Sequence, residues 1–196
     1  MTDNVYKPPQ SNLLQDSDTD TRKFYVVSKT KLSVLFLTTF GIYVVYWFYV
    51  NWRNYKDATG QKLRPILRAI FYIFFTHSLF KKVDSELSLK ELEFNWSPSI
   101  VATLFVFISI ARDIFSSFSS NGIDSPLTDI LSLVILPIAL PFLLKAQDAI
   151  NISQNDMKGE SNCKFTVYNY LWIFVGALLW LSAAINLMGI LGLISL

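Results

Sequence analysis

Apolar residues in this chain gather into long runs separated by short polar stretches, with no sustained alternation of period two. Five runs approach the roughly 20 residues with which a helix crosses about 30 Å of hydrocarbon. Residues 32–50 hold no charge, and residues 66–80, "ILRAIFYIFFTHSLF", are interrupted by Arg68 and His77. Residues 99–118 begin apolar and then carry Arg112 and Asp113, residues 127–144 hold Asp129 near their start, and residues 171–196 are charge-free. Lipid offers backbone groups no hydrogen bonds, so each run must be helical. The pattern predicts an all-α, polytopic membrane protein with up to five membrane-embedded helices, in a single domain over residues 22–196.

Polar punctuation refines this outline. Residues 1–21 contain paired prolines and many Asp, Ser and Thr with no apolar period, which predicts a disordered tail, placed on the cytoplasmic side, rather than a cleaved leader. Ser97–Pro98 and Ser125–Pro126 each offer an N-cap followed by proline at the first helical position. Pro137 and Pro141 fall inside the fourth run, where each removes a backbone hydrogen bond, so a kink is expected there. In residues 83–95 apolar and charged residues alternate, which fits either an amphipathic piece on the membrane surface or a solvated loop.

Composition strengthens the membrane reading, because 52% hydrophobic and 16% charged residues leave too little charge to clothe a soluble domain of 196 residues. A net charge of +2, with no basic stripe, argues against nucleic acid. One Cys and one His leave no set of soft or imidazole ligands for zinc, haem or an iron cluster, and no cofactor is expected. The motifs of known enzyme classes, such as a Gly-x-Ser-x-Gly elbow or a phosphate-cradling glycine loop, are missing from the sequence, so an enzyme is not expected.

The first run ends in "YVVYWFYVNWRNYK", which crowds aromatic rings ahead of Arg53 and Lys56. Tyr and Trp favour the boundary between hydrocarbon and headgroups, so Tyr46, Trp47, Tyr49 and Trp52 are expected to form an aromatic belt. The stretches "FYVVSKTKLSVLFLTTFGIYVVYWFYVNW" and "RPILRAIFYIFFTHSLFKKV" resemble an uncharacterised bacterial membrane-protein family with a Thr-x-Gly-Ile-Tyr-x-x-Tyr-Trp-Phe-Tyr helix followed by a second short membrane helix. "LPFLLKAQDAIN" and "YNYLWIFVGALLW" are similar to further segments of that group. The resemblance implies a bacterial cytoplasmic membrane and transfers no catalytic residue.

Charges inside the apolar runs are the remaining lead, since a charge at the centre of a membrane helix costs about 2.5–3.5 kcal/mol on insertion scales and calls for a partner or a task. Arg112 and Asp113, about 100° apart on a helix, are expected either to mark an early membrane exit ahead of the polar residues 116–122 or to partner other helices rather than each other. Arg64 and Arg68 share a helix face, with His77, Lys81 and Lys82 toward the other end, a pattern suited to anionic lipid headgroups. His77 becomes a proton carrier only with an acidic partner. Gly176 with Ala183, and Ser182 with Gly189, are spaced for a packing seam, and Asn169 and Asn186 for hydrogen bonds between helices.

The positive-inside rule puts residues 112–126 outside, residues 145–170 inside and the C-terminus outside. If the first two runs both cross, Arg53, Lys56, Lys62 and Arg64 are translocated. Two crossings are nevertheless expected, on the resemblance to a helical pair; keeping all the basic regions on one side requires the first run to re-enter. The functional expectation is a structural, lipid- or protein-interaction module, with a membrane-protein partner or a second copy as candidate partners. The alternative is a small transporter or channel subunit, recognisable by polar residues of several helices converging on one cavity.

Overall fold

The computed structural model describes residues 22–120 and 127–190. Among them it holds seven α-helices and no strand: α1 Lys29–Thr38, α2 Tyr43–Thr59, α3 Pro65–Ile70, α4 Tyr72–Leu89, α5 Pro98–Ser120, α6 Leu127–Ser153 and α7 Val167–Ile190, with a short 3-10 turn at Glu160–Asn162 before α7. Three helices are long and apolar enough to cross a membrane, at Pro98–Phe118, Ile130–Ser153 and Val167–Gly189. The all-α class is as expected. The tail, the Ser125–Pro126 start and the Asp129 side chain lie outside the described residues.

The first expected helix is not continuous. α1 stops at Thr38, and Phe40 and Gly41 take positive φ values of 52° and 79° before α2 starts. Gly41 N–H donates to the Phe36 carbonyl at 2.8 Å, a six-residue closure that reverses the chain. α2 then returns beside the extended segment 22–28. Tyr25 N–H donates to Asn51 Oδ1 at 3.0 Å, and one residue earlier the Phe24 ring stacks on Tyr55 at 5.7 Å. α1 and α2 are thus a hairpin, and both of its feet lie at the end of the bundle where α5 begins and α6 ends. Lys29 pairs with Asp148 near the end of α6 at 3.1 Å.

The second expected helix is also a hairpin. α3 breaks at Phe71, and α4 runs back antiparallel to α5 as far as Leu89, absorbing half of the stretch expected as a loop. Tyr72 lies 6.3 Å from Phe105, His77 Nε2 3.0 Å from Thr103 Oγ1, and Phe80 5.8 Å from Trp96. α5 begins at Pro98, as expected, with Val101 N–H donating to the Ser97 carbonyl at 3.0 Å. α6 carries Pro137 and Pro141 internally and continues well past residue 144.

The aromatic belt is corrected by the same fold. Trp47 and Trp52 are fully buried, and only Tyr46 of the four expected rings is strongly exposed. Folding α2 back puts its rings in the seam against α3, α4 and α6, where they fill the core with Phe48, Leu79, Phe80 and Leu143.

Segment 22–28 lacks helical hydrogen bonds, so its buried backbone needs other partners. Side-chain amides supply them. Gln147 Nε2 donates to the Tyr25 carbonyl and Asn162 Nδ2 to the Val26 carbonyl, at 3.0 and 2.9 Å. Asn151 Nδ2 donates to the Val27 carbonyl at 3.0 Å. Lys31, only 2% exposed, donates to Asn162 Oδ1 and to the Lys164 carbonyl, both at 2.7 Å, and so binds the loop before α7 to the hairpin.

Candidate functional site

The hairpin tip at Phe40–Ile42 is wedged among the three long helices. Arg112, fourteen residues beyond Pro98 on α5, lies about 21 Å along that helix at 1.5 Å per residue, toward the end away from the hairpin feet. Its Nη1 donates to the Phe40 carbonyl, while Nε and Nη2 donate to Asp113 Oδ1 at 3.2 and 2.8 Å. Arg112 therefore partners both another element and its own neighbour. The expectation that Arg112 and Asp113 avoid each other fails because the long guanidinium stem spans the angle between adjacent helical positions.

A positive φ at a bulky residue such as Phe40 is strained by about 1–2 kcal/mol and persists only where the surroundings enforce it. Three contacts enforce it here. Arg112 holds the carbonyl, the Phe40 ring stacks on Trp180 of α7 at 4.4 Å, and the Trp180 indole N–H donates to the Leu37 carbonyl at 3.1 Å. Gly41 faces Arg112 and Leu136 so closely that a Cβ would come within 2.8 Å of the guanidinium. Gly176 plays the same part on α7, where a Cβ would meet the Thr38 carbonyl oxygen at 2.1 Å.

α7 is seated against α1, with only 6% of its membrane-length stretch buried. Between it and the α5–α6 pair lies a cavity of about 330 Å³. Its polar lining comes from three helices: Arg112 and Ser116 from α5, Ser132 from α6 and Asn186 from α7, with Leu136 and Ile42 among the apolar walls. A groove of about 650 Å³ continues from it along α7 past Leu179 and Ser182. Such a space, apolar with a few convergent hydrogen-bonding groups, suits a ligand with an apolar body and a polar end.

Of the four candidates read from the sequence, the cavity takes in Arg112, with Asp113 as its paired neighbour. Arg68 is elsewhere, its guanidinium 4.3 Å over the Trp52 ring and 5.0 Å from Phe75, and His77 is exposed on α4 with Thr103 as partner. Ser116, Ser132 and Phe40 were not singled out by the sequence, and nothing in their local pattern marks them. Asn186 was, as a group for hydrogen bonds between helices, and it lines the cavity. Asn169 instead caps its own helix, accepting from Thr166 N–H at 2.9 Å. Among the described residues no group of three or more His, Cys, Asp or Glu is placed to hold a metal ion.

Comparison of the chain with protein-family models, curated proteins and solved structures finds no match.

Proposed function

We propose that this chain is a lipid-interaction module of the bacterial cytoplasmic membrane, crossing it with α5, α6 and α7 and dipping into it with the α1–α2 and α3–α4 hairpins. The observation that carries this reading is the cavity at the hairpin tip, where Arg112, Ser116, Ser132 and Asn186 meet beside apolar walls. An amphiphile fits it, with the polar end on those side chains and the chain along the α7 groove. The role is binding rather than catalysis, because these side chains donate and accept hydrogen bonds and the single His77 stands on another helix.

The hairpins also support one orientation. With both turned back, the described Lys and Arg residues other than Arg68 and Arg112 gather at the end where α5 begins, which the positive-inside rule makes cytoplasmic. The cavity then sits in the outer leaflet.

The test is native mass spectrometry of protein purified in mild detergent. Wild type is expected to retain an amphiphile that the Arg112→Leu/Asn186→Leu variant loses while still eluting as a folded protein. Equal retention by both would remove the cavity from the reading. The convergence of polar residues from three helices also supports the second reading, a small transporter, which predicts solute or ion flux in reconstituted vesicles.

A further inference from the structure

We propose that the α3–α4 hairpin is a binding surface for anionic phospholipid headgroups of the leaflet at its feet, distinct from the cavity. Depth along α5 sets the geometry. Tyr72 lies beside Phe105, seven residues past Pro98 and so about 10 Å inward, whereas Phe80 lies beside Trp96, just before α5 begins. The turn at Phe71 is the deepest point of the hairpin, and residues 62–64 and 81–82 are its feet.

The outward surface follows this gradient. Ile70, Phe71 and Phe74, at the turn, are 57, 51 and 77% exposed, and Ile66, near the start of α3, is 62% exposed, values that a water-facing surface would not carry in one patch. At the feet, Lys62, Arg64 and Lys81 are exposed, as is Lys56 at the end of α2. None of these four cations has an acidic partner among the described residues. Residues 53–82 contain seven Lys or Arg and a single acid, Asp57. An apolar tip below a rim of unpaired cations complements acyl chains below phosphates, and the charge excess selects anionic over zwitterionic headgroups.

The surface has a rigid base. Arg68, on the same α3, turns inward and lays its guanidinium over Trp52 and Phe75, while Lys82 donates to Tyr55 Oη at 3.1 Å and lies 4.6 Å over that ring. Two of the basic residues thus fasten the hairpin to α2, and the others are left for the membrane.

Purified full-length protein, stripped of lipid in uncharged detergent, is titrated with phosphatidylglycerol or with phosphatidylcholine of the same chains, and bound lipid is counted by native mass spectrometry. Wild type is expected to prefer phosphatidylglycerol by at least about tenfold at low ionic strength, with the preference falling as salt is added. The Lys56→Gln/Lys62→Gln/Arg64→Gln/Lys81→Gln variant is expected to lose that preference. Exchanging the same lysines for arginine, and Arg64 for lysine, retains it and shows that charge is what is read. Arg112→Leu also retains it, which separates this surface from the cavity at the hairpin tip. Equal retention of the two lipids by wild type, an unchanged preference in the four-Gln variant, its loss in Arg112→Leu, or full displacement by inorganic phosphate would each overturn the proposal.

Discussion

The indole N–H of Trp47 donates to Gln147 Oε1 at 2.6 Å, joining the returning arm of the first hairpin to the last turns of α6. Gln147 also donates to the Tyr25 carbonyl and to Asn151 Oδ1, so one buried amide connects α2, α6 and the extended segment. Gln147→Leu leaves the Trp47 N–H and the Tyr25 carbonyl without these partners, at about 1–3 kcal/mol for each buried group. A clear fall in thermal midpoint in detergent is expected. Trp47→Phe combined with Gln147→Leu should cost less than the sum of the single changes, because the orphaned indole is gone. Additive losses would show that the two residues do not act together.

Gly176 brings α7 onto the C-terminal end of α1, and a side chain there has no room beside the Thr38 carbonyl. Gly176→Val is expected to push α7 away, breaking the Trp180–Phe40 stack at a cost of about 1–3 kcal/mol. Trp fluorescence should shift and thermal stability should fall, while Ala184→Val, at an exposed position of the same helix, should change neither.

Burial of Lys31 pushes its pKa below the usual lysine value. Between that lowered pKa and the ordinary value of about 10.5 the unfolded chain binds more protons than the folded one, so this group adds stability as pH rises through that window. Lys31→Met should abolish that rise. At neutral pH it also removes the bonds to Asn162 and the Lys164 carbonyl, so the loop before α7 should become more open to protease. A pH–stability curve of Lys31→Met that parallels wild type in the alkaline range would contradict the assignment.

The three long helices were legible because length and hydropathy alone define them, and the start of α5 because Ser97–Pro98 is a local signal. The break at Phe40 was not. A phenylalanine at positive φ is disfavoured locally and is held there by Arg112 and Trp180, which are 72 and 140 positions away in the chain. The rings of α2 misled for a related reason: an aromatic side chain suits a headgroup boundary and a core equally, and only the fold decides between them. Gln147 and Asn151, four apart in the last turns of α6 and beyond the apolar run of residues 127–144, were not singled out. Their task was hidden, because it is to satisfy a distant strip of backbone rather than to serve a reaction.

The proposed arrangement, in which the two hairpins dip into the membrane and do not cross it, changes the expected labelling of the chain. With Cys163 replaced, single cysteines at Lys56, Glu93 or Met157 should be shielded from an impermeant maleimide in intact cells, and one at Phe118 should react. Labelling at Lys56 without labelling at Glu93 would instead restore a first helix that crosses.

Arg112 and Asp113 carry the most direct test of what the cavity does. The guanidinium donates to the Phe40 carbonyl and to Asp113, so Arg112→Leu removes the clamp on the strained tip and leaves the carbonyl unpaired. A loss of about 1–3 kcal/mol is expected, read as a lower midpoint and lower membrane abundance. Asp113 is different, because its side chain is 46% exposed and its pairing is with a neighbour that keeps a second partner. Asp113→Asn should therefore cost less than about 1 kcal/mol and leave abundance intact. In the lipid-interaction reading, this variant retains the same amphiphile as wild type in native mass spectra. A transporter requires another outcome: intact abundance with ion flux in reconstituted vesicles present in wild type and lost in Asp113→Asn. Measuring both quantities on one preparation decides between the two uses of the same cavity, since a collapsed tip lowers abundance first and a lost carrier group leaves abundance unchanged.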